Sequence, residues 1–197
     1  MGRPQKPIIS KERATRAALE VIDMQGIDAL SLDAVAKKLG VRAPSLYYHF
    51  RNKAELLSEV ARLILMEAAV PMPEGTAHWR EHVVALSVSV RRSVLRHAKA
   101  APLILQFFPR HLLLAAYDNW LAHYDLPVEQ HMVIMEGVEK LTFGSALFAA
   151  MSRAQNLDPM PEFDPRRLPH LAQAVQANAL DEEGTFKAAL ERFLAAF

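Results

Sequence analysis

The sequence of 197 residues contains no cysteine. This absence excludes disulfide bridges, thiolate metal sites and cysteine nucleophiles. No long apolar run is present either, because Pro102, Gln106, Pro109 and Arg110 interrupt the richest stretch before it reaches the length of a membrane span. The first residues lack the apolar core of a signal peptide. We therefore expect a cytoplasmic protein that does not enter a membrane.

The alternation of apolar and polar residues that marks a half-buried strand is also missing. Hydrophobic residues make up 51% of the chain, which is enough for a sizeable core. Helical periodicity predicts an all-α fold, with a surface loop over 154–166. Outside the region treated next, helices are expected at about 10–25, 77–97, 102–108, 110–124, 128–153, 167–179 and 183–196.

Charge is distributed unevenly along the chain, although the net charge is only +1. Residues 1–65 hold 11 Lys and Arg against 7 Asp and Glu, whereas residues 66–197 hold 12 against 15. A basic first third on a mildly acidic remainder indicates a protein that contacts phosphate groups at one end.

Residues 31–53 encode two short helices joined by a glycine turn. Ser31 is a good N-cap for the first helix, whose apolar residues recur at helical spacing over 32–39. Gly40 suits the end of that helix, and Pro44 suits the first turn of the next. This order is the helix-turn-helix arrangement, in which the second helix reads the major groove of DNA.

The second helix has a surface that a buried helix would not carry. Leu46 and Phe50 share its inner face, which leaves basic, hydroxylated and aromatic side chains to point outward. The alternative is a three-helix core fragment whose tyrosines only pack. We predict DNA contacts for Ser31, Arg42, Ala43, Ser45, Tyr47, Tyr48, His49 and Lys53.

A further helix connects this unit to the rest of the chain. Asn52 is its N-cap, Glu55 stands at the position of a capping box, and a segment rich in proline after residue 70 ends it. We expect a DNA-binding domain over residues 1–66, with the connecting helix of 52–70 assigned to it. A ligand-binding and dimerisation domain is expected over residues 67–197.

Several stretches of the chain resemble the tetracycline-repressor (TetR) family of bacterial transcription regulators. In residues 10–66 the resemblance is carried by Ala36-Lys-Lys-Leu-Gly-Val41, Leu46-Tyr-Tyr-His-Phe50 and Asn52-Lys53-x-x-Leu56-Leu57. The remainder is similar, more weakly, to the body of the tetracycline-repressor subclass itself. The residues that carry this second resemblance are Arg91-Arg92, Thr142-Phe-Gly144 and Leu168-Pro-x-Leu171.

The resemblance implies a ligand-responsive repressor without enzymatic activity or cofactor. It implies a homodimer that binds a palindromic operator and leaves the DNA when a small molecule binds the body. Arg42, Ala43, Ser45 and Tyr47 match positions that face bases, whereas Tyr48, His49 and Lys53 match positions that contact the DNA backbone. The family carries a base-contacting Arg where this chain has Asp33, so a different operator is expected.

The resemblance also bears on the ligand. The tetracycline repressors hold a magnesium–tetracycline chelate through two histidines and a glutamate, and the matching positions here are Ala69, Ala101 and Phe148. We therefore expect an apolar effector instead of this chelate, with no metal site. The predicted ligand-binding residues are Leu86, Val90, Met135 and Phe148.

In the family, the helices that match 128–153 and 183–196 form a four-helix interface between two subunits. Small residues would allow the helices to approach closely. The alternative is that the same apolar stripes belong to the core of one chain. The predicted interface residues are Leu141, Gly144, Ser145, Phe186, Leu190 and Phe193.

Two other functions remain open at this point. One is a DNA-binding protein that responds to no ligand, and such a protein needs no enclosed apolar cavity. The other is a metal-dependent hydrolase, because His78, Glu81 and His82 match the H-x-x-E-H motif of inverted zinc proteases. That site needs a third ligand, and no downstream residue stands out as one.

Overall fold

The structure is a computed structural model that describes residues 9–68, 79–108, 110–158 and 160–197. These residues form ten α-helices, two short 3₁₀ turns and no strand, which confirms the all-α prediction. None of the described helices combines the length and the apolar character needed to cross a bilayer. The helices are α1 (Lys11–Gln25), α2 (Leu32–Leu39), α3 (Pro44–Tyr47), α4 (Lys53–Met66), α5 (Trp79–Arg96), α6 (Pro102–Gln106), α7 (Arg110–Leu121), α8 (Val128–Ala154), α9 (Pro169–Ala177) and α10 (Glu182–Leu194).

The ends of the first helices lie where the sequence predicts them. The hydroxyl of Ser10 accepts the backbone N–H of Arg13 at 3.1 Å, which caps α1. Gly26 ends α1 with a φ of +88°, and Gly40 ends α2 with a φ of +69°. Side chains other than glycine rarely adopt these conformations, so both turns depend on the missing Cβ.

The cap of α4 differs from the predicted capping box in one detail. The Asn52 side chain accepts the N–H of Glu55 at 2.9 Å, as expected. The carboxylate of Glu55 accepts the N–H of Arg51 at 2.8 Å instead of the N–H of Asn52. The Glu55 carboxylate thus binds the residue before the N-cap, whereas in the standard capping box it binds the N-cap itself. Helix α4 still begins at Lys53.

Two clusters of buried residues form the core. The larger one begins in α1–α4, which we call the head, and continues into the second halves of α5 and α8 in the body, which comprises α5–α10. Packing is therefore continuous across the expected domain boundary near residue 66. The smaller cluster joins the first halves of α5 and α8 to the last helix, through Trp79, Val83, Val84, Ile134, Phe186, Leu190 and Leu194.

This second cluster contains two of the residues predicted for the dimer interface. Phe186 and Leu190 are 6% and 0% exposed because they pack on α5 and α8 of their own chain. The ring of Phe193 lies so close to Gly137 of α8 that a Cβ on the glycine would be 2.2 Å from it. Within the described chain, Phe186 and Leu190 are therefore core residues, as the intrachain alternative expects.

The three interface residues predicted on α8 lie in different surroundings. Ser145 faces its own chain, because its hydroxyl accepts the Nε–H of Arg91 at 2.9 Å. Leu141 is half-buried and packs against the second cluster. A Cβ added at Gly144 would meet no described atom within 4 Å, so nothing in the chain itself requires glycine there.

Candidate DNA-binding surface and body cavity

Helix α3 is held to the head by two apolar side chains. Leu46 and Phe50 are 0% and 1% exposed and belong to the larger core cluster, as their shared inner face predicted. Pro44 begins the helix, where its missing N–H has no partner to lose. The burial of Leu46 and Phe50 leaves the remaining side chains of this segment on the outside.

The outer face of α3 and the start of α4 is polar, aromatic and basic. Tyr47 and Tyr48 are 58% and 87% exposed, and Arg42, Ser45 and Lys53 are exposed as well. Ala43 and His49 are half-buried at its edge. Most of the surface of both tyrosines is free of contacts within the described chain, so it is available to a partner.

The cations on this face are not engaged elsewhere. Arg42, Arg51 and Lys53 form no ion pair among the described residues, whereas the nearby Lys38 lies 2.7 Å from Glu20. Lys53 also stands at the first turn of α4, where free backbone N–H groups favour an anion. Our sequence prediction omitted Arg51, although its place between the tyrosines and Lys53 could have indicated it.

Ser31 has a structural role in the described chain. Its hydroxyl oxygen accepts the backbone N–H of Ala34 at 3.0 Å and caps α2. The hydroxyl proton remains free to donate to a phosphate oxygen. Asp33 is exposed in the first turn of the same helix, where the helix dipole favours a carboxylate.

The body contains an apolar cavity of 260 Å³ between α5, α7 and α8, and the end of α4 contributes to its wall. Leu86 and Val90, two of the predicted ligand-binding residues, line it. Aromatic side chains outside the predicted set of ligand-binding residues form much of the remaining wall, and they come from segments far apart in the sequence. These aromatic residues are Phe108, Tyr117, Trp120 and Phe143.

A smaller compartment of 50 Å³ adjoins the cavity and shares Leu86 and Tyr117 with it. Met135 lines this compartment, as do Tyr124 and His82. Burial, with a smaller effect from the nearby His123, lowers the pKa of the His82 imidazole, which favours the neutral ring. Burial also raises the pKa of Tyr124 to about 12, so its phenol stays protonated.

The one acidic residue among the described residues of the cavity wall is already partnered. Glu139 accepts a hydrogen bond from the Tyr117 hydroxyl and another from Arg110 Nη2, the latter at 2.7 Å. Burial raises the pKa of Tyr117, and the bond to Glu139 raises it further. With Glu139 compensated by Arg110, the described wall presents no unpaired charge to a ligand.

Phe148 does not line the cavity, contrary to the prediction. Its side chain is 79% exposed on the surface of α8. The reason is helical geometry, because at about 3.6 residues per turn Phe148 lies on a different side of α8 from Thr142 and Phe143, which face the cavity.

In the described part of the chain, the other positions considered for metal binding do not form a metal site either. Ala101 is fully buried in the larger core cluster, and Ala69 lies outside the described residues. His78 of the H-x-x-E-H match also lies outside them, whereas His82 is 6% exposed beside the small compartment. Within the described ranges, no three His, Asp or Glu side chains converge as a metal site would require.

Comparison with known proteins agrees with this arrangement. Residues 14–60 match the family model described as bacterial regulatory proteins of the tetR family. A tetracycline repressor of class A from Escherichia coli is 36% identical over 87 residues, which cover 44% of this chain and 40% of that protein. A class D repressor, also from Escherichia coli, is 27% identical over 96% of this chain and 89% of its own length.

The first two curated relatives are matched over only 41% and 40% of their length, which is mainly the head. A solved structure extends the likeness to the body. ActR from Streptomyces coelicolor superimposes with a TM-score of 0.75 and 27% identity, over 98% of this chain and 95% of that one. ActR has also been solved in complex with actinorhodin. The head thus carries the match to the TetR family of bacterial regulatory proteins, and the full-length repressor match and the shared body extend the similarity over nearly the whole chain.

Proposed function

We propose that this protein is a transcriptional repressor that binds a palindromic operator as a homodimer. The observation that carries the proposal is the outer face of the helix-turn-helix, where Arg42, Arg51 and Lys53 have no described ion-pair partner and two tyrosines stand exposed. Unpaired cations supply affinity for phosphate, and side chains of α3 supply contacts to bases. Such a protein acts where the chromosome is, in the cytoplasm.

Dimerisation is supported by apolar surface that the chain leaves uncovered. Val133, Phe148 and Met151 are more than half exposed along one side of α8. Gly144 lies on the same side, where a partner helix could approach closely. Helix α9 buries none of its residues, although Leu168 and Val175 give it an apolar edge. A second copy would remove these side chains from water.

The body cavity supports release by a small molecule. Its walls are apolar and aromatic, and its single acidic residue is compensated, so the ligand it fits is an uncharged molecule with aromatic rings. The complex of ActR with actinorhodin supports a small-molecule ligand for this chain, which is similar to ActR in its body. The cavity also favours a ligand-responsive regulator over a DNA-binding protein without an effector.

Selection from random duplex DNA would test the proposal directly. We expect enrichment of an inverted repeat whose half-sites are separated by about one helical turn of DNA. Arg42→Ala should lose that enrichment, whereas the exposed Arg16→Ala of α1 should keep it. Recovery of no preferred sequence by the folded protein would contradict the proposed function.

A further inference from the structure

His97 stands between the head and the body and contacts two carboxylates at once. Its Nδ1 lies 2.8 Å from Asp23 at the end of α1, and its Nε2 lies 3.2 Å from Glu67, which follows α4. The imidazole is largely buried, with 12% of its side chain exposed. One ring therefore joins the ends of α1, α4 and α5.

Both contacts are hydrogen bonds only when both ring nitrogens carry a proton. A carboxylate oxygen can accept but cannot donate, so each nitrogen must be the donor. The neutral imidazole has a single N–H and would turn a lone pair toward the other carboxylate. Loss of one proton therefore replaces one of the two attractions with a repulsion.

The other charged groups at this junction do not substitute for His97. Arg96, its neighbour on α5, lies 3.2 Å from the same Glu67 but does not reach Asp23. Lys99 donates to the backbone carbonyl of Met24 at 3.0 Å. In the described chain, His97 is the ion-pair partner of Asp23.

The junction also adjoins the cavity. Leu65 and Met66 at the end of α4 line the cavity and directly precede Glu67. Leu86 and Val90 line it from α5, the helix that ends directly before His97. A ligand that displaces either helix end would therefore act on the contacts of the imidazole.

We propose that His97 is a positioning residue that holds the head in a defined orientation on the body, and that it does so in its doubly protonated form. The orientation of the head is consequently sensitive to pH as well as to a ligand in the cavity. This inference deepens the proposed function and rests on it for its biological meaning, because a head that changes orientation presents its DNA-binding face differently.

The orientation can be measured in the full chain, because the absence of cysteine allows clean labelling. A chain that carries spin labels at both Asp28→Cys in the head and Asn119→Cys on α7 reports the distance between head and body. Mixing it with an excess of unlabelled chain ensures that the measured pairs lie within one subunit. We expect a narrow distance distribution at about pH 5.5 and a broad one at about pH 8. His97→Gln should give the same broad distribution at both pH values.

Two further variants separate positioning from a general loss of folding. Asp23→Asn should also remove the pH dependence, and His97→Arg, which stays charged, should keep the narrow distribution at about pH 8. A pH response in His97→Gln equal to that of the parent would overturn the inference. Operator affinity is measured on the same samples. Absence of DNA binding in all of them would contradict the proposed function and leave the distance data to decide the role of His97.

Discussion

The guanidinium of Arg91, which is 1% exposed on α5, lies 2.7 Å from the carboxylate of Glu182 in the first turn of α10. The same arginine donates from Nε to Ser145 of α8. One buried cation thus joins three helices of the body. Arg92, its neighbour, pairs with Glu183 but remains 62% exposed.

This difference predicts unequal effects for two adjacent substitutions. Glu182→Ala leaves a buried charge without its partner and should lower the free energy of unfolding by about 3 kcal/mol. Glu183→Ala removes a solvent-exposed ion pair and should lower the free energy of unfolding by no more than about 1 kcal/mol. Urea denaturation of both variants measures the difference. Equal losses would show that burial of Arg91 adds nothing to the pair.

Two substitutions in the head separate base contacts from phosphate contacts. Arg42→Ala should weaken operator binding by about 1–3 kcal/mol and relax the preference at one position of each half-site. Lys53→Ala should weaken all sequences about equally and lower the salt slope by about one for each half-site. Affinities for operator and scrambled DNA across a salt series distinguish the two. If both variants fold and bind like the parent, the outer face of α3 does not read DNA.

Phe148 provides a test of the proposed dimer. Its ring is exposed in the single chain, so Phe148→Glu should leave the fold intact but weaken dimerisation about 100-fold, since each dimer loses two apolar contacts. Light scattering should give twice the chain mass of 22.0 kDa for the parent and one chain mass for the variant. Leu105→Glu, at a site on α6 that is 71% exposed, is the control and should stay dimeric.

The buried His82 predicts a pH dependence of stability. Its folded-state pKa is lowered from 6.5 because of burial and the nearby His123. As pH falls below 6.5, the unfolded chain binds a proton that the folded chain resists, so stability decreases toward acid. His82→Leu should flatten the fall in melting temperature. The control His170→Gln, at an exposed site, should keep the fall in melting temperature. If the parent and His82→Leu show the same dependence of melting temperature on pH, His82 does not cause it.

The ligand prediction separates this chain from the tetracycline repressors it resembles. Tetracycline with magnesium should neither raise the melting temperature nor release operator DNA, because Phe148 is on the surface and the described cavity wall offers no free anionic ligand. Uncharged aromatic compounds should raise the melting temperature by mass action. Val90→Trp should fill the cavity and abolish that rise while leaving operator binding unchanged. Release of DNA by magnesium–tetracycline would contradict the cavity as described.

Local sequence signals predicted the helices and the DNA-binding unit closely. Ser10, Gly26, Gly40 and Asn52 act through contacts within a few residues, so each is readable without knowledge of the fold. The inner face of α3 follows from the spacing of Leu46 and Phe50 for the same reason.

Only the tertiary structure decided which apolar stripe is buried within the chain and which one stays exposed. Phe186 and Phe148 belong to equally regular helical patterns, yet one is buried against α5 and α8 and the other is exposed. Periodicity reports that a face is apolar and not what lies against it. The cavity depends on the fold as well, because Leu65, Val90, Tyr117 and Phe143 come from four helices and meet only when those helices pack.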